Sequence, residues 1–274
     1  MSSPSSAAGP AGPAGLHSTL VGEQGPVVAF CHGLFGRGRN FGAIARALEP
    51  DYRSLLVDMP DHGRSRWTDA FDYAGAAELV AEHLRGTVAA DGPVHVVGHS
   101  MGGKIAMTMA LAHPDLVDHL VVVDVSPVGS GAVGEFEHLL DSLARIDLDS
   151  VESLGDADAQ LAQDVPQKSL RGFLLQNLRQ DPAGGRLAWQ PNLTMLRRDL
   201  ARITSDIPHG GRTFEGPVLW VGGSDSDYIQ DENVPGMREL FPQTRRVTVK
   251  DATHWVHSQK PEVFTAAVRR FLAT

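Results

Sequence analysis

Six short apolar runs recur along the chain, and most are separated by stretches with helical spacing. They fall at 26–31 (PVVAFC), 53–59 (RSLLVDM), 94–97 (VHVV), 116–125 (LVDHLVVVDV), 217–223 (PVLWVGG) and 245–249 (RRVTV). Apolar runs of this length, with little polar alternation, predict strands buried on both faces. The stretches 40–48, 71–89, 104–112, 234–240 and 261–272 predict helices. In 71–89 the residues Leu79, Val80 and Leu84 form an apolar stripe, while Glu78, Glu82 and Arg85 lie three to four apart on a wet face. Pro261 suits the first position of the last helix. Strand following helix following strand predicts an α/β fold, with a mostly parallel sheet covered by helices on both faces.

Residues 128–211 break the alternation. Helical spacing appears in 136–146, 170–179 and 193–203, punctuated by DPAGG at 181–185 and IPHGG at 207–211. This stretch is expected to be a helical cap inserted into a core made of 16–127 and 212–274. Phe173 and Trp189 within it either line an acyl pocket or pack the cap onto itself. Residues 1–15 are Ser, Ala, Gly and Pro without periodicity, and such a segment is expected to be a disordered tail.

The chemistry gathers where the apolar runs stop. In parallel sheets functional groups collect at the carboxyl ends of strands, and His32, Asp58, Ser100 and Asp124 all take such positions. The run at 94–97 ends in Gly98-His99-Ser100-Met101-Gly102, after which helical spacing begins. Strand, G-x-S-x-G and helix form the context of a nucleophile elbow. Side chains at Gly98 or Gly102 would collide with backbone in so tight a bend. The helix N-terminus then aims N–H groups at developing negative charge. HGLFG, at 32–36, is where a second oxyanion donor is expected, so the backbone N–H groups of Leu34 and Met101 are the candidate oxyanion hole.

A serine hydroxyl needs a base, and the base needs a third group to fix its tautomer. His254 is the candidate base, late in the chain, in a loop approached through small residues (Ala252, Thr253), and His257 is its rival. Asp124 and Asp225 are both candidate acids, with Asp227 beside the second, and spacing alone does not choose between them. Asp58, Asp61 and His62 resemble metal ligands in type, but no further His or carboxylate stands near them in sequence. They are expected to hydrogen-bond a turn, and no metal site is expected.

Composition narrows the partners. Of the residues, 42% are hydrophobic and 21% charged, as in ordinary globular domains. The net charge of -9 argues against a nucleic-acid partner. The single cysteine, Cys31, excludes an internal disulfide, and in a buried strand it behaves as a small hydrophobe. No apolar run nears the roughly 18 residues that cross a membrane, and 1–15 lacks the features of a secretory signal. A cytoplasmic protein is the expectation.

HGLFG, DxxxHGRS, GHSMGGK, VVVDVSP and the closing THW together resemble the alpha/beta-hydrolase superfamily. They look most like its small bacterial esterases and the abhydrolase-domain protein 11 subfamily, in which the corresponding strand ends in Asp-Ile-Ser-Pro or Asp-Ile-Ala-Pro. The resemblance runs from about Val27 to the C-terminus and includes LLQNL followed by a tryptophan. It implies a serine esterase or thioesterase acting on a small acyl substrate without a cofactor, with Ser100 as nucleophile and His254 as base. The subfamily pattern implies Asp124 as the acid. The wider superfamily implies Asp225, and the stretch GGSDSDYI departs from the subfamily's shorter loop. Other reactions on the same fold remain rivals: carbon–carbon bond hydrolysis, cofactor-free peroxidation and elimination. A non-catalytic receptor pocket is another.

Overall fold

The computed structural model describes residues 15–129, 133–180 and 185–274. The expected tail and the expected break at 181–185 lie outside the described residues, except for Gly15 and Gly185. Gly15 belongs with the folded chain rather than a tail, because its carbonyl accepts a hydrogen bond from the Arg66 N–H at 2.9 Å.

The first half of the sheet comprises β1 (Ser18–Val21), β2 (Val27–Cys31), β3 (Arg53–Val57), β4 (Val94–His99) and β5 (Val117–Val123). A small hairpin of β6 (Leu178–Gln180) and β7 (Leu187–Trp189) stands apart, and β8 (Val218–Gly223) and β9 (Thr244–Val249) rejoin the sheet. The order is β1-β3-β2-β4-β5-β8-β9, parallel throughout except for β1, which runs antiparallel to β3. Every strand expected from an apolar run is present. The edge strand β1 was not expected: its four residues are half-buried or exposed and carry no apolar run.

Residues on β2 alternate between two cores, as period-two geometry requires. Val27, Ala29 and Cys31 face one hydrophobic cluster, and Val28 and Phe30 face the other. The second cluster is closed by α1 (Gly42–Leu48) and by the helix at the C-terminus. The first is closed by α2 (Tyr73–Arg85) and α3 (Met101–Ala112). Each fully buried Leu, Val or Phe in these layers contributes about 1.5–3 kcal/mol, which fixes the sheet whose edge carries the site.

Between β5 and β8 the chain forms α4 (Val133–Ala144), α5 (Leu154–Leu161), α6 (Lys168–Leu175), the hairpin, α7 (Leu193–Arg198) and α8 (Leu200–Ile203). One of the expected helices ends early and another divides. The one expected over 170–179 stops at Leu175, because the Asn177 side-chain amide turns to donate to the Leu174 and Phe35 carbonyls. The one expected over 193–203 divides at Asp199, whose carboxylate accepts from the Phe71 N–H at 2.8 Å. After β8 come α9 (Val234–Leu240), α10 (Val256–Gln259) and α11 (Pro261–Leu272), which does start at Pro261.

Candidate active site

Ser100 stands alone between β4 and α3 with φ 53° and ψ −123°. A serine at positive φ is strained and persists only where its surroundings hold it. Here the Ser100 N–H donates to the Val123 carbonyl at 3.1 Å, and the Ser100 carbonyl accepts from the Lys104 N–H at 3.0 Å. The flanking glycines allow the bend. A Cβ on Gly98 would lie 2.5 Å from the Gly102 carbonyl oxygen, and one on Gly102 would lie 2.3 Å from that of Cys31.

Asp124 follows β5 at φ 50° and is 1% exposed. Its Oδ1 accepts from the Gly223 N–H at 3.0 Å. Its Oδ2 accepts from the Ser226 hydroxyl and lies 2.8 Å from His254 Nδ1. A carboxylate only accepts, so Nδ1 is the donor in this contact. The His254 carbonyl accepts from His99 Nε2 at 2.9 Å, which ties the backbone of this candidate base to the residue beside Ser100. Tyr228 stacks on the His254 ring, centroids 3.9 Å apart.

Asp225 is not at the imidazole. It is exposed, accepts from the Ser224 hydroxyl at 2.8 Å, and donates its N–H to the Ala252 carbonyl at 2.9 Å. Asp227 is exposed as well. The departing loop GGSDSDYI thus brings Ser226 and Tyr228 to the Asp124–His254 pair instead of an acid. The rival base His257 is buried, stacked on Phe41 with centroids 4.7 Å apart, and burial pushes it down to about 3.

The HGLFG loop is braced by neutral histidines. His32 Nδ1 donates to the Gly33 carbonyl at 2.8 Å, and its Nε2 accepts from the Met59 N–H at 2.9 Å. Burial, with His62 adding to it, lowers His32 to about 3. His62 Nε2 accepts from the Phe35 N–H at 3.3 Å. The residues that resemble metal ligands are engaged in this bracing. Asp58 accepts from the Gly38 and Arg64 N–H groups, and Asp61 from the Thr68 N–H and hydroxyl. Burial opposes the charge on Asp58, but His17 and these N–H groups outweigh it and hold the carboxyl well below its ordinary range. Cys31 is fully buried, and burial pushes its thiol up to about 12, so it is no thiolate.

Leu34, Ser100, Met101, Lys104 and Tyr228 line one narrow cleft together with Phe136 and Ile203. Its free volume is about 20 Å³, room for roughly one water. Lys104 donates from Nζ to the carbonyls of Val128 (2.8 Å) and Ser205, where the chain leaves and rejoins the sheet's neighbourhood. Burial lowers its ammonium to about 8. Phe173 packs edge-on against Trp255, the neighbour of His254, at 4.6 Å, and Trp189 packs on the main core from β7. Sequence reasoning did not single out Ser226, Tyr228, His99 or Lys104. Only Lys104 carried a signal, as one turn of helix beyond the serine.

Residues 28–267 match the model of the alpha/beta hydrolase family. The sn-1-specific diacylglycerol lipase ABHD11 of Mus musculus is 38% identical, over 90% of this chain and 81% of its own length. A putative esterase/lipase of Haemophilus influenzae is 33% identical, over 90% of this chain and 83% of its own length. Among solved structures, a marine microorganism esterase superposes with a TM-score of 0.89 at 32% identity, covering 93% of this chain and 98% of that one.

Proposed function

The chain belongs to the alpha/beta hydrolase family and is a carboxylic ester hydrolase, and we propose that it cleaves its ester through a covalent acyl-enzyme on Ser100. The observation that carries this reading is the 2.8 Å contact of Asp124 with His254 Nδ1, and the strained turn that carries Ser100 supports it. Ser100 Oγ forms a bond to the ester carbonyl carbon as its proton passes to His254 Nε2. The carbonyl oxygen becomes an oxyanion and accepts from the backbone N–H groups of Leu34 and Met101, each such donor contributing about 3 kcal/mol. As the bond to the leaving oxygen breaks, His254 gives its proton to the departing alcohol. Water then attacks the acyl-enzyme with His254 as base, and the proton returns to Ser100 as the acid leaves. Asp124 holds the tautomer and stabilises the imidazolium.

Residues 128–211 act as a cap. The cleft is too narrow for an acyl chain as it stands, so Phe136 on α4 and Ile203 on α8 must give way to admit one. Its apolar lining suits an acyl tail. The mouse relative's name points to sn-1 acyl glycerolipids as a class worth testing here.

The test is hydrolysis of p-nitrophenyl esters of graded chain length, and of a diacylglycerol, by the wild type and by Ser100→Ala. The wild type should turn over at least one ester class, and Ser100→Ala should lose about 10⁴-fold or more. Full activity in Ser100→Ala overturns the reading.

A further inference from the structure

At the amino end of the central strands, away from the cleft, His95, Asp118 and His119 offer one donor atom each, all within 4.8 Å of one another. The local backbone is irregular at this point. Val94 pairs with Val117 and Val96 with Leu120, so one residue of β4, His95, stands opposite two of β5, Asp118 and His119. A regular strand would send two consecutive side chains to opposite faces, and a bulge re-aims them. Asp118 Oδ2 lies 3.1 Å from His95 Nδ1 and 3.0 Å from His119 Nδ1. Donor atoms about 2.0–2.1 Å from a tetrahedral zinc lie roughly 3.3 Å from one another. The carboxylate already stands at nearly that spacing from each imidazole.

A second observation points the same way. The His95 side chain is buried, at 5% exposure, and its Nδ1 faces the Asp118 carboxylate at 3.1 Å without the alignment of a hydrogen bond. Such an atom calls for an explanation. Both rings are fixed by aromatic packing. Tyr52 meets His95 edge-on at 5.8 Å, Phe271 meets His119 at 5.1 Å, and the two imidazoles lie 5.1 Å apart at 77°. The Asp118 side chain is 47% exposed, so the fourth direction opens to solvent.

We propose that His95, Asp118 and His119 form a binding site for a divalent transition-metal ion of the zinc class, with water as the fourth ligand. Two imidazoles and one carboxylate suit zinc, cobalt or nickel rather than calcium or magnesium. His95 precedes Ser100 by five strand residues, about 16 Å at the rise of a strand, so the ion has no part in ester cleavage. It would tie together the amino ends of β4 and β5, the strands that present Ser100 and Asp124.

The test is calorimetric titration of the chelator-stripped full chain with Zn²⁺, in the wild type, Asp118→Asn and His119→Gln. Asp118→Asn changes an exposed group and should fold normally, which circular dichroism checks. The wild type should bind one saturable equivalent, each variant should bind at least tenfold more weakly, and ester hydrolysis without added metal should be unchanged in all three. Zn²⁺ should raise the melting temperature of the wild type but not of Asp118→Asn, and Co²⁺ should give the visible bands of a tetrahedral site only in the wild type. No saturable equivalent in the wild type, or equal affinity in Asp118→Asn, overturns the proposal. Loss of esterase activity in Ser100→Ala bears on the other reading alone.

Discussion

Tyr228 lies flat against the imidazole of His254, with ring centroids 3.9 Å apart and planes inclined by only 20°. The stack fixes the ring plane, while Asp124 fixes its rotation. Burial, with Glu135 and Asp124 adding to it, pushes the phenol up, so it stays neutral across the working range. An aromatic pair of this kind contributes about 0.5–1.5 kcal/mol. Tyr228→Phe should therefore keep kcat within about twofold, and Tyr228→Leu should lower it about tenfold with little change in KM. Steady-state kinetics on a p-nitrophenyl ester separates the two.

The two candidate acids are distinguished by what they touch. Asp124→Asn removes the acceptor that holds Nδ1–H and should lower kcat about 10⁴-fold. Asp225→Asn, on an exposed carboxylate paired with Ser224, should stay within about twofold. Ser226→Ala removes one donor to a buried charge and should cost about 1.5–3 kcal/mol of kcat/KM. The three variants measured side by side order these roles.

Acid stability should fall early. His32 and His257 are held near 3 by burial, against an ordinary value of 6.5, and burial also carries His99 well below 6.5. Between pH 6.5 and about 3 the unfolded rings bind protons that the folded rings refuse. Unfolding takes up protons there, so stability decreases as pH falls, by up to about 1.4 kcal/mol per pH unit for each ring. Urea midpoints measured from pH 7 to 4 should drop steeply, and His257→Phe should flatten the slope. A midpoint independent of pH in that window contradicts the burial argument.

The apolar runs made the sheet legible, because strands covered on both faces leave no other use for such residues. The elbow was equally legible, since Gly98 and Gly102 answer to backbone contacts near 2.5 Å that no side chain tolerates. The edge strand β1 was not, because one strand pairing and a half-exposed face ask little of its residues. The hairpin β6–β7 was hidden because Asn177, by bonding to Phe35, ends a helix that the local pattern would continue. Ser226 and Tyr228 were hidden because nothing in a serine or tyrosine foretells that its loop folds back over Asp124. The choice between Asp124 and Asp225 was not legible in the spacing, because both follow the end of an apolar run; only resemblance favoured Asp124, the one that touches His254 at 2.8 Å.

Lys104 donates to carbonyls at both ends of the segment between β5 and β8. Lys104→Met should leave both without their partner, costing about 1–3 kcal/mol each where water cannot replace it. The segment's two attachment points should then open more often. Limited proteolysis near 129 and 205 should be faster in the variant at a temperature where both chains remain folded, and the thermal midpoint should be lower.

The most direct measurement is covalent trapping with a fluorophosphonate, followed by peptide mapping by mass spectrometry. One adduct per chain should form, on the peptide that carries Ser100, and Ser100→Ala should form none. An adduct on another residue, or a wild type that hydrolyses esters yet resists the probe, contradicts a nucleophile at Ser100.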